Sequence, residues 1–427
     1  MERRGAEWGA REDAKAGGDM TDGIPKLVPV LPNHRFDEAR LKSWLEATFG
    51  ERAEPFAVRQ FQGGQSNPTF HIQFGPRQFV LRKKPPGPLL PSAHAVDREY
   101  RVIKALSGTG IPVPHVHLLC TDESVIGQIF YLMDYIPGRV YADRALPGLG
   151  PADRAAMYDD MNRVLAALHR LDPAALGLAD YGKPEAYVAR QIRRWTQQYQ
   201  AAPPEPSPEM DALIAWLGSH TPPADETALV HGDFRLGNLL FDPAAPRILA
   251  VLDWELSTLG HPLADLAYNI LTYYLPEAAG AFGIARHVVP LADLAYNILT
   301  YYLPEAAGGF GALDPTTLGI PAERDYVTRY AERAGCLGKV VGEDVVGEIG
   351  ERDYVTRYAE RAGRGEVSGL TYMIVFSMFR LAAILAGVYA RALQGNAADA
   401  GALERGKLFR EVARRALDVA ESAPAYP

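Results

Sequence analysis

Cysteine is almost missing from this sequence: 427 residues hold two, Cys120 and Cys336, far apart and in no metal-ligand spacing. That excludes a disulfide framework and a cysteine-based zinc site, and it fits a reducing cytoplasm. A basic excess is missing too. Lys and Arg number 44 against 52 Asp and Glu, for a net charge of −8. Affinity for a phosphate backbone needs a basic surface, so nucleic acid is not an expected partner. The first 24 residues lack the apolar run of a signal peptide, and residues 1–35 are read as a disordered leader. One long apolar stretch exists, Tyr372 to Ala390, and Ser377, Arg380 and Gly387 interrupt it. A buried core helix is expected there rather than a membrane span.

What is present, 48% hydrophobic and 22% charged residues, is the make-up of a globular protein, and the length allows two lobes. The segment FDEARLKSWLEATF sets Phe36, Leu41, Trp44, Leu45 and Phe49 near one helical face, with Asp37 as its start. AVRQFQGG and NPTFHIQF read as strands around a Gly-Gly turn, and RQFVLRK as a third strand. HAVDREYRVIKALSG has helical periodicity closed by Gly108, and VIGQIFYLMDYIPG gives further strands before a Pro-Gly break. A β-rich lobe over residues 36–136 is thus expected. From 137 to 427 the patterns are mainly helical, interrupted by two short apolar strands, ALVHGDF and ILAVLDWE.

The strongest chemical signal is LVHGDFRLGNLLFD followed by ILAVLDWE. Phosphoryl transfer of the kinase type uses a loop Asp to accept the hydroxyl proton, an Asn five positions later as a metal ligand, and a second Asp after a short hairpin to hold bridging magnesium. Asp233, Asn238 and Asp253 meet that spacing. Amide and carboxylate oxygens beside nucleotide phosphates suit a hard cation such as Mg2+. Arg235 is placed to stabilise charge on the moving phosphoryl group, or else forms a surface ion pair. His231 is expected to hold the loop by bonding backbone rather than to act as a base.

Upstream, Gly63, Gly64, Ser66 and Asn67 lie at a hairpin tip where backbone amides and side chains can approach nucleotide phosphates, although Gly-Gly between strands is also ordinary turn chemistry. Arg82 falls where a kinase keeps its phosphate-pairing lysine, with Glu99 on the next helix as its ion partner. Lys83 and Lys84 compete for that role, but strand alternation turns Lys83 to the opposite face. The backbone of Asp134, Tyr135 and Ile136 suits a hinge contacting adenine, with a plain buried strand as the alternative. Helical spacing brings Gln191, Arg194, Trp195 and Gln198 to one face, a candidate substrate wall that lobe packing alone also explains.

Together these segments resemble the aminoglycoside phosphotransferase family of small-molecule kinases, in the branch similar to the kinase-like domain fused to some acyl-CoA dehydrogenases. The resemblance runs from Phe36 to Gly395 through QGGQSNPTF, FVLRKKPPGPLLPSAHAVDREYRVIKAL, VHGDFRLGNL, VLDWELSTLGHPLADLAY and FRLAAILAGVYARALQGNA. It implies an α+β, two-lobed protein-kinase-like fold with a small antiparallel β-rich N-lobe and a larger helical C-lobe. It implies ATP as donor, Asp233 as base, Asn238 and Asp253 as metal ligands, and Asp265 as a carboxylate supporting the catalytic loop. For this branch it suggests a hydroxylated acyl acceptor, such as a 4-hydroxy acid or its CoA thioester; fold alone does not decide the acceptor.

Other classes fit less well. A nucleotide-binding pseudokinase or scaffold predicts loss of Asp233, Asn238 or Asp253, and all three are present. A protein kinase predicts an APE-like segment, whereas this chain runs from LDWE quickly into a helix. The departure from the family is a doubling. PLADLAYNILTYYLPEAAG stands at 262–280 and again at 290–308, and ERDYVTRYAERAG at 323–335 and again at 351–363. Unchanged pairs mark a recent duplication or an artefact of the sequence rather than a solenoid, and leave a misfolded, inactive chain as a further possibility. Tether length predicts that the first DLAY copy docks beneath the catalytic loop and that the second ERDYVTRY copy takes the native helix site. The surplus segments, Ala281 to Gly308 and Cys336 to Gly363 by one choice of boundaries, are expected to lack a groove and to be poorly ordered or self-associating.

Overall fold

A computed structural model describes residues 25–62, 67–85, 95–141, 146, 149–201, 205–274, 350–365, 367–394 and 402–422. Six strands form one antiparallel sheet in the order β1-β2-β3-β4-β6-β5. They are β1 (Leu27–Val28), β2 (Phe56–Phe61), β3 (Thr69–Phe74), β4 (Arg77–Lys83), β5 (Val116–Cys120) and β6 (Phe130–Asp134). Side chains alternate across such a sheet. Phe70, Ile72 and Phe74 of β3, Phe79 and Leu81 of β4, and Phe130 and Leu132 of β6 share one core with Leu41 and Leu45 of helix α1 (Glu38–Phe49). Each such burial contributes roughly 1.5–3 kcal/mol before entropy is counted. Asp37 caps α1 by accepting from the Arg40 amide, and Gly50 ends it in the left-handed region.

The opposite face carries Val80, Tyr131 and Met133, which join Val96, Val102, Ile103 and Leu106 of α2 (Val96–Leu106) in the larger core. The same alternation turns Arg82 toward α2. Lys83 turns the other way, with its ammonium over the rings of Phe36 and Phe70 and donating to Gln128. It is buried, not solvated. Residues 25–35 correct the expectation of a leader: Leu27 and Val28 pair with Phe61 and Gln60, and the Lys26 carbonyl accepts from the Gln62 amide. An edge strand of two residues is held by its partner, not by its own pattern, which is why it reads as leader. Residues 1–24 lie outside the described residues. β5 is also absent from the sequence expectation, since VHLLC shows no clean two-residue alternation.

The helical lobe contains α3 (Pro151–His169), α4 (Tyr187–Ala201), α5 (Pro208–Ser219), α6 (Pro262–Asn269), α7 (Glu351–Ala362) and α8 (Leu370–Leu393), followed by helices Ala402–Lys407 and Phe409–Glu421. By length and composition α8 alone among the described helices could cross a membrane, but 72% of its apolar window is buried inside the protein. It packs against α4, α5, α6 and the last two helices. Two small antiparallel pairs pack on the helical lobe: β7 (Ala228–Val230) with β10 (Thr258–Gly260), β7 lying on α3 and α6, and β8 (Leu239–Phe241) with β9 (Ile248–Val251), β9 lying on α3. Arg98 of α2 donates to the Tyr181 carbonyl and stacks on the Tyr181 ring, joining the β-rich half to the helical half.

The described copies of the doubled segments are the first DLAY helix, α6, and the second ERDYVTRY helix, α7. They meet: Tyr354 of α7 donates to Asn269 Oδ1 at 2.6 Å, and Asn269 in turn donates to the Phe234 carbonyl of the catalytic loop. α7 is further fixed on α3 by Arg361 and Arg357 to Asp159 and by Asn162 to the Tyr354 carbonyl. The other copies lie outside the described residues, as do 281–308 and 336–349 of the segments expected to be surplus. Residues 351–362 correct the expectation that 336–363 lacks a groove, because α7 buries Tyr354, Val355 and Tyr358 against the lobe.

Candidate active site

The loop between β7 and β8 is built on one buried carboxylate. Asp265 accepts from the His231 amide at 2.6 Å and the Gly232 amide at 2.8 Å, and His169 approaches it at 3.4 Å. Burial alone would raise its pKa; the hydrogen bond and charge of His169, the charge of His231 and the Gly232 amide outweigh burial and hold the carboxyl below its ordinary range. His169 is fixed in turn by the Tyr358 hydroxyl of α7 at 2.7 Å. At Gly232 φ is +83°, and a Cβ there would stand 2.7 Å from the Leu256 carbonyl, so both conformation and space demand glycine. His231 donates from Nε2 to the Leu252 carbonyl, and its Nδ1 accepts from the Asp233 amide. The imidazole is occupied on both nitrogens by backbone.

On this frame Asp233 receives the Arg235 guanidinium Nε at 3.1–3.2 Å on both carboxylate oxygens, and Asn238 Nδ2 on Oδ2 at 2.7 Å. Asn238 Nδ2 also donates to the Asp233 carbonyl, which leaves its amide oxygen turned away from Asp233. Asn238 is tied to the next strand by accepting from the Leu252 amide at 2.8 Å. Asp253 follows directly, at φ +66° and ψ +57°. A non-glycine residue in the left-handed region is held there by its surroundings and aims its side chain out of the strand direction.

Across the cleft, Arg82 Nη2 donates to Asp253 Oδ1 at 2.5 Å, and its Nε lies 2.9 Å from Glu99 Oε2. The second contact is an ion pair whose N–H does not point at the oxygen, because both atoms also remain without a hydrogen bond. Glu255, which sequence reasoning left unassigned, stands 3.7 Å from Arg82 and accepts from Asn67 Nδ2 at 3.2 Å. Three carboxylates thus share one guanidinium. Burial, joined by repulsion from Asp253 and Glu255, pushes the Glu99 carboxyl up to about 7, against the lowering pull of Arg82. Tyr131 beside Glu99 is raised well above its usual value, first by burial and then by the Glu99 charge.

Asn67 is buried, and its Oδ1 has no partner. Gly63, Gly64 and Ser66 lie outside the described residues. At the hinge, the Asp134 and Tyr135 amides are spent on the His115 and Gln78 carbonyls, and the Ile136 amide makes no such bond among the described residues. The Asp134 side chain accepts from His117 at 2.7 Å. On α4 the predicted face divides: Arg194 and Gln198 are exposed, while Trp195 is half-buried with the Arg380 guanidinium 5.7 Å from its ring. Arg380 was legible in the sequence only as a charge inside an apolar run. It donates to the Gly232 carbonyl at 2.8 Å and so belongs to this site.

The donor set suits a hard divalent cation, with a free amide oxygen on Asn238 and a partly exposed carboxylate on Asp253. Among the described residues no group of three or more His, Cys, Asp or Glu could hold a metal unaided. A cation here would share its ligands with a nucleotide.

A model of the phosphotransferase enzyme family matches residues 57–295. A crystal structure of a Ralstonia eutropha JMP134 protein assigned to the aminoglycoside phosphotransferases is 40% identical, with a TM-score of 0.66, covering 91% of this chain and 99% of that one. Mouse acyl-CoA dehydrogenase family member 10 is 42% identical over 409 residues, 96% of this chain but 33% of that protein. Chicken acyl-CoA dehydrogenase family member 11 is 38% identical over 402 residues, 93% of this chain and 45% of that protein. The chain therefore spans a third to just under half the length of these curated relatives. From its α+β kinase-like fold and these matches together, the chain belongs to the phosphotransferase enzyme family and is a small-molecule kinase.

Proposed function

We propose that the protein transfers the γ-phosphoryl group of Mg-ATP to a hydroxyl on a small hydroxy acid or its acyl-CoA thioester. The observation that carries this reading is the convergence of Asp233, Asn238 and Asp253, joined by the Asn238–Asp233 bonds and the Leu252-to-Asn238 backbone bond. In the transfer the acceptor oxygen bonds to the γ-phosphorus as the bond from that phosphorus to the β,γ-bridging oxygen breaks, ADP leaves with that oxygen, and the hydroxyl proton passes to Asp233. Asn238 and Arg235 orient that carboxylate, and Arg235 can pivot from it toward the phosphoryl oxygens. Asn238 and Asp253 are the residues to hold magnesium, which when bound neutralises phosphate charge. Arg82 would meet the α- and β-phosphates, positioned by Glu99, and Asn67 would approach from the hairpin. The Ile136 amide and the carbonyls of the hinge are suited to adenine.

Arg194 and Arg380 lie over Trp195, and Arg380 also lies over Tyr268. Such a cationic wall supports a neutral or acidic acceptor over a polycationic aminoglycoside. The test is to incubate the protein with Mg-ATP and separate panels of hydroxy acids, hydroxyacyl-CoAs and aminoglycosides, and to detect phosphorylated product by mass spectrometry. Product from the first two panels is expected; product from the aminoglycosides alone, or nucleotide binding with no transfer to any panel, would overturn the reading.

A further inference from the structure

A second cation stands beside the loop of Asp233 without a counter-ion among the described residues. Arg380 sits in the middle of α8, whose neighbours Met373 to Phe379 and Ala382 to Ala383 are otherwise buried and uncharged save for half-buried Leu381. Arg380 is half-buried, and the part of its guanidinium taken out of water costs free energy unless its donors are used. One N–H is used: Nη2 donates to the Gly232 carbonyl at 2.8 Å. Nε is buried and has no acceptor, and no carboxylate among the described residues pairs with the group. The cation lies over two aromatic rings, with Cζ 5.3 Å from the Tyr268 centroid and 5.7 Å from that of Trp195. The Trp195 indole N–H is buried without an acceptor as well.

Arg235 does not share this condition, because both oxygens of Asp233 take its Nε. Guanidinium recognises carboxylate and phosphate through paired N–H donors in a fork that is planar by delocalisation, and aromatic neighbours limit its hydration. We propose that Arg380, between Trp195 and Tyr268, is a subsite for an oxyanion on the acceptor, one residue from the proposed base. The inference rests on the acceptor reading above and sharpens it: the hydroxyl to be phosphorylated belongs to a molecule whose carboxylate, or the phosphate of an attached carrier, docks on Arg380. The bond to Gly232 explains why the side chain is extended toward the loop, but not why its buried Nε is left without an acceptor.

Two pairs of ligands separate the sources. Calorimetric titrations into the full-length protein loaded with Mg-ADP would use 4-hydroxypentanoate against its amide, and 4-hydroxypentanoyl-CoA against the pantetheine thioester that lacks its phosphates. In at least one pair the anionic member should bind about tenfold or more tightly. That preference should vanish in Arg380→Met and be partly kept in Arg380→Lys, which retains the charge without the fork. The first pair responding assigns a carboxylate and the second a phosphate. Equal affinities within both pairs, absence of binding by all four ligands, or a preference unchanged in Arg380→Met would overturn the subsite. Should Arg380→Met not fold, the wild-type pairs and Arg380→Lys still decide. Binding preferences that depend on Arg380, with no phosphoryl transfer, would strike the transfer reading and leave the subsite standing.

Discussion

Arg82 on β4 bonds Asp253 across the cleft at 2.5 Å while its Nε faces the buried Glu99 at 2.9 Å. The proposed phosphate-pairing cation and the proposed metal ligand are therefore joined to each other. On that reading the binding of Mg-ATP parts them, and both ends of the pair act on nucleotide affinity. Asp253→Ala should weaken Mg-ATP by about a hundredfold, ~2.7 kcal/mol, and should have a much smaller effect on ATP without magnesium. Calorimetry with and without the metal checks this; an equal loss in both conditions would contradict a metal-ligand role.

The crowding of Glu99, Asp253 and Glu255 around one guanidinium gives a pH signature. Glu99 has a folded pKa raised to about 7 from the ordinary 4.5, so between those values the folded state binds more protons than the unfolded. Stability contributed by this group is present at low pH and is lost as pH rises through that window. Glu99→Gln should flatten the fall in melting temperature between the two values. A parallel pH profile in the variant and the wild type would show that the carboxyl does not titrate there.

Asp265 should behave in the opposite sense. Its pKa is depressed below the ordinary 3.8, so its contribution is present above that value and lost as pH falls. Asp265→Asn keeps the shape but presents an N–H2 group to one of the two loop amides. The cost is expected to be roughly 1–3 kcal/mol of stability, with kcat falling more than KM for ATP because the frame of Asp233 is disturbed. Thermal melts and steady-state kinetics measure both; unchanged kcat would separate Asp265 from the loop.

The doubled segments make a prediction about packing. α6 and α7 already join through Tyr354 and Asn269, and α7 is tied to α3 through Asp159. Removing residues 281–308 and 336–363 leaves one copy of each segment in the same sequence context. The shortened protein should fold with activity within about threefold of the full chain, since the retained copy at 323–335 has the sequence of the deleted α7 and is then followed by the same residues from Arg364 onward. Loss of soluble, active protein would show that the second copies are integral.

Much of the site was legible because its chemistry is local in sequence. Asp233, Asn238 and Asp253 lie on one loop-hairpin-loop, and the order of Arg82 before Glu99 follows strand alternation and helix position. The four residues that were not legible depend on convergence. His169 reaches Asp265 from α3, Tyr358 reaches His169 from α7, Glu255 meets Asn67 across the cleft, and Arg380 enters from an apolar helix. A lone charge in a hydrophobic run reads as an exception until the neighbouring helices show where it points. Arg235 shows the reverse: its position was legible, but its hold on both Asp233 oxygens was not.

The central claim is that Asp233 acts on the acceptor hydroxyl rather than on the nucleotide, and Asp233→Asn tests it most directly. With the best acceptor from the panels, kcat for phosphorylated product should fall by roughly 10²–10⁴, while the affinity for Mg-ATP measured by calorimetry stays within about threefold. Near-normal turnover in the variant, or a loss of turnover matched by an equal loss of nucleotide affinity, would contradict it.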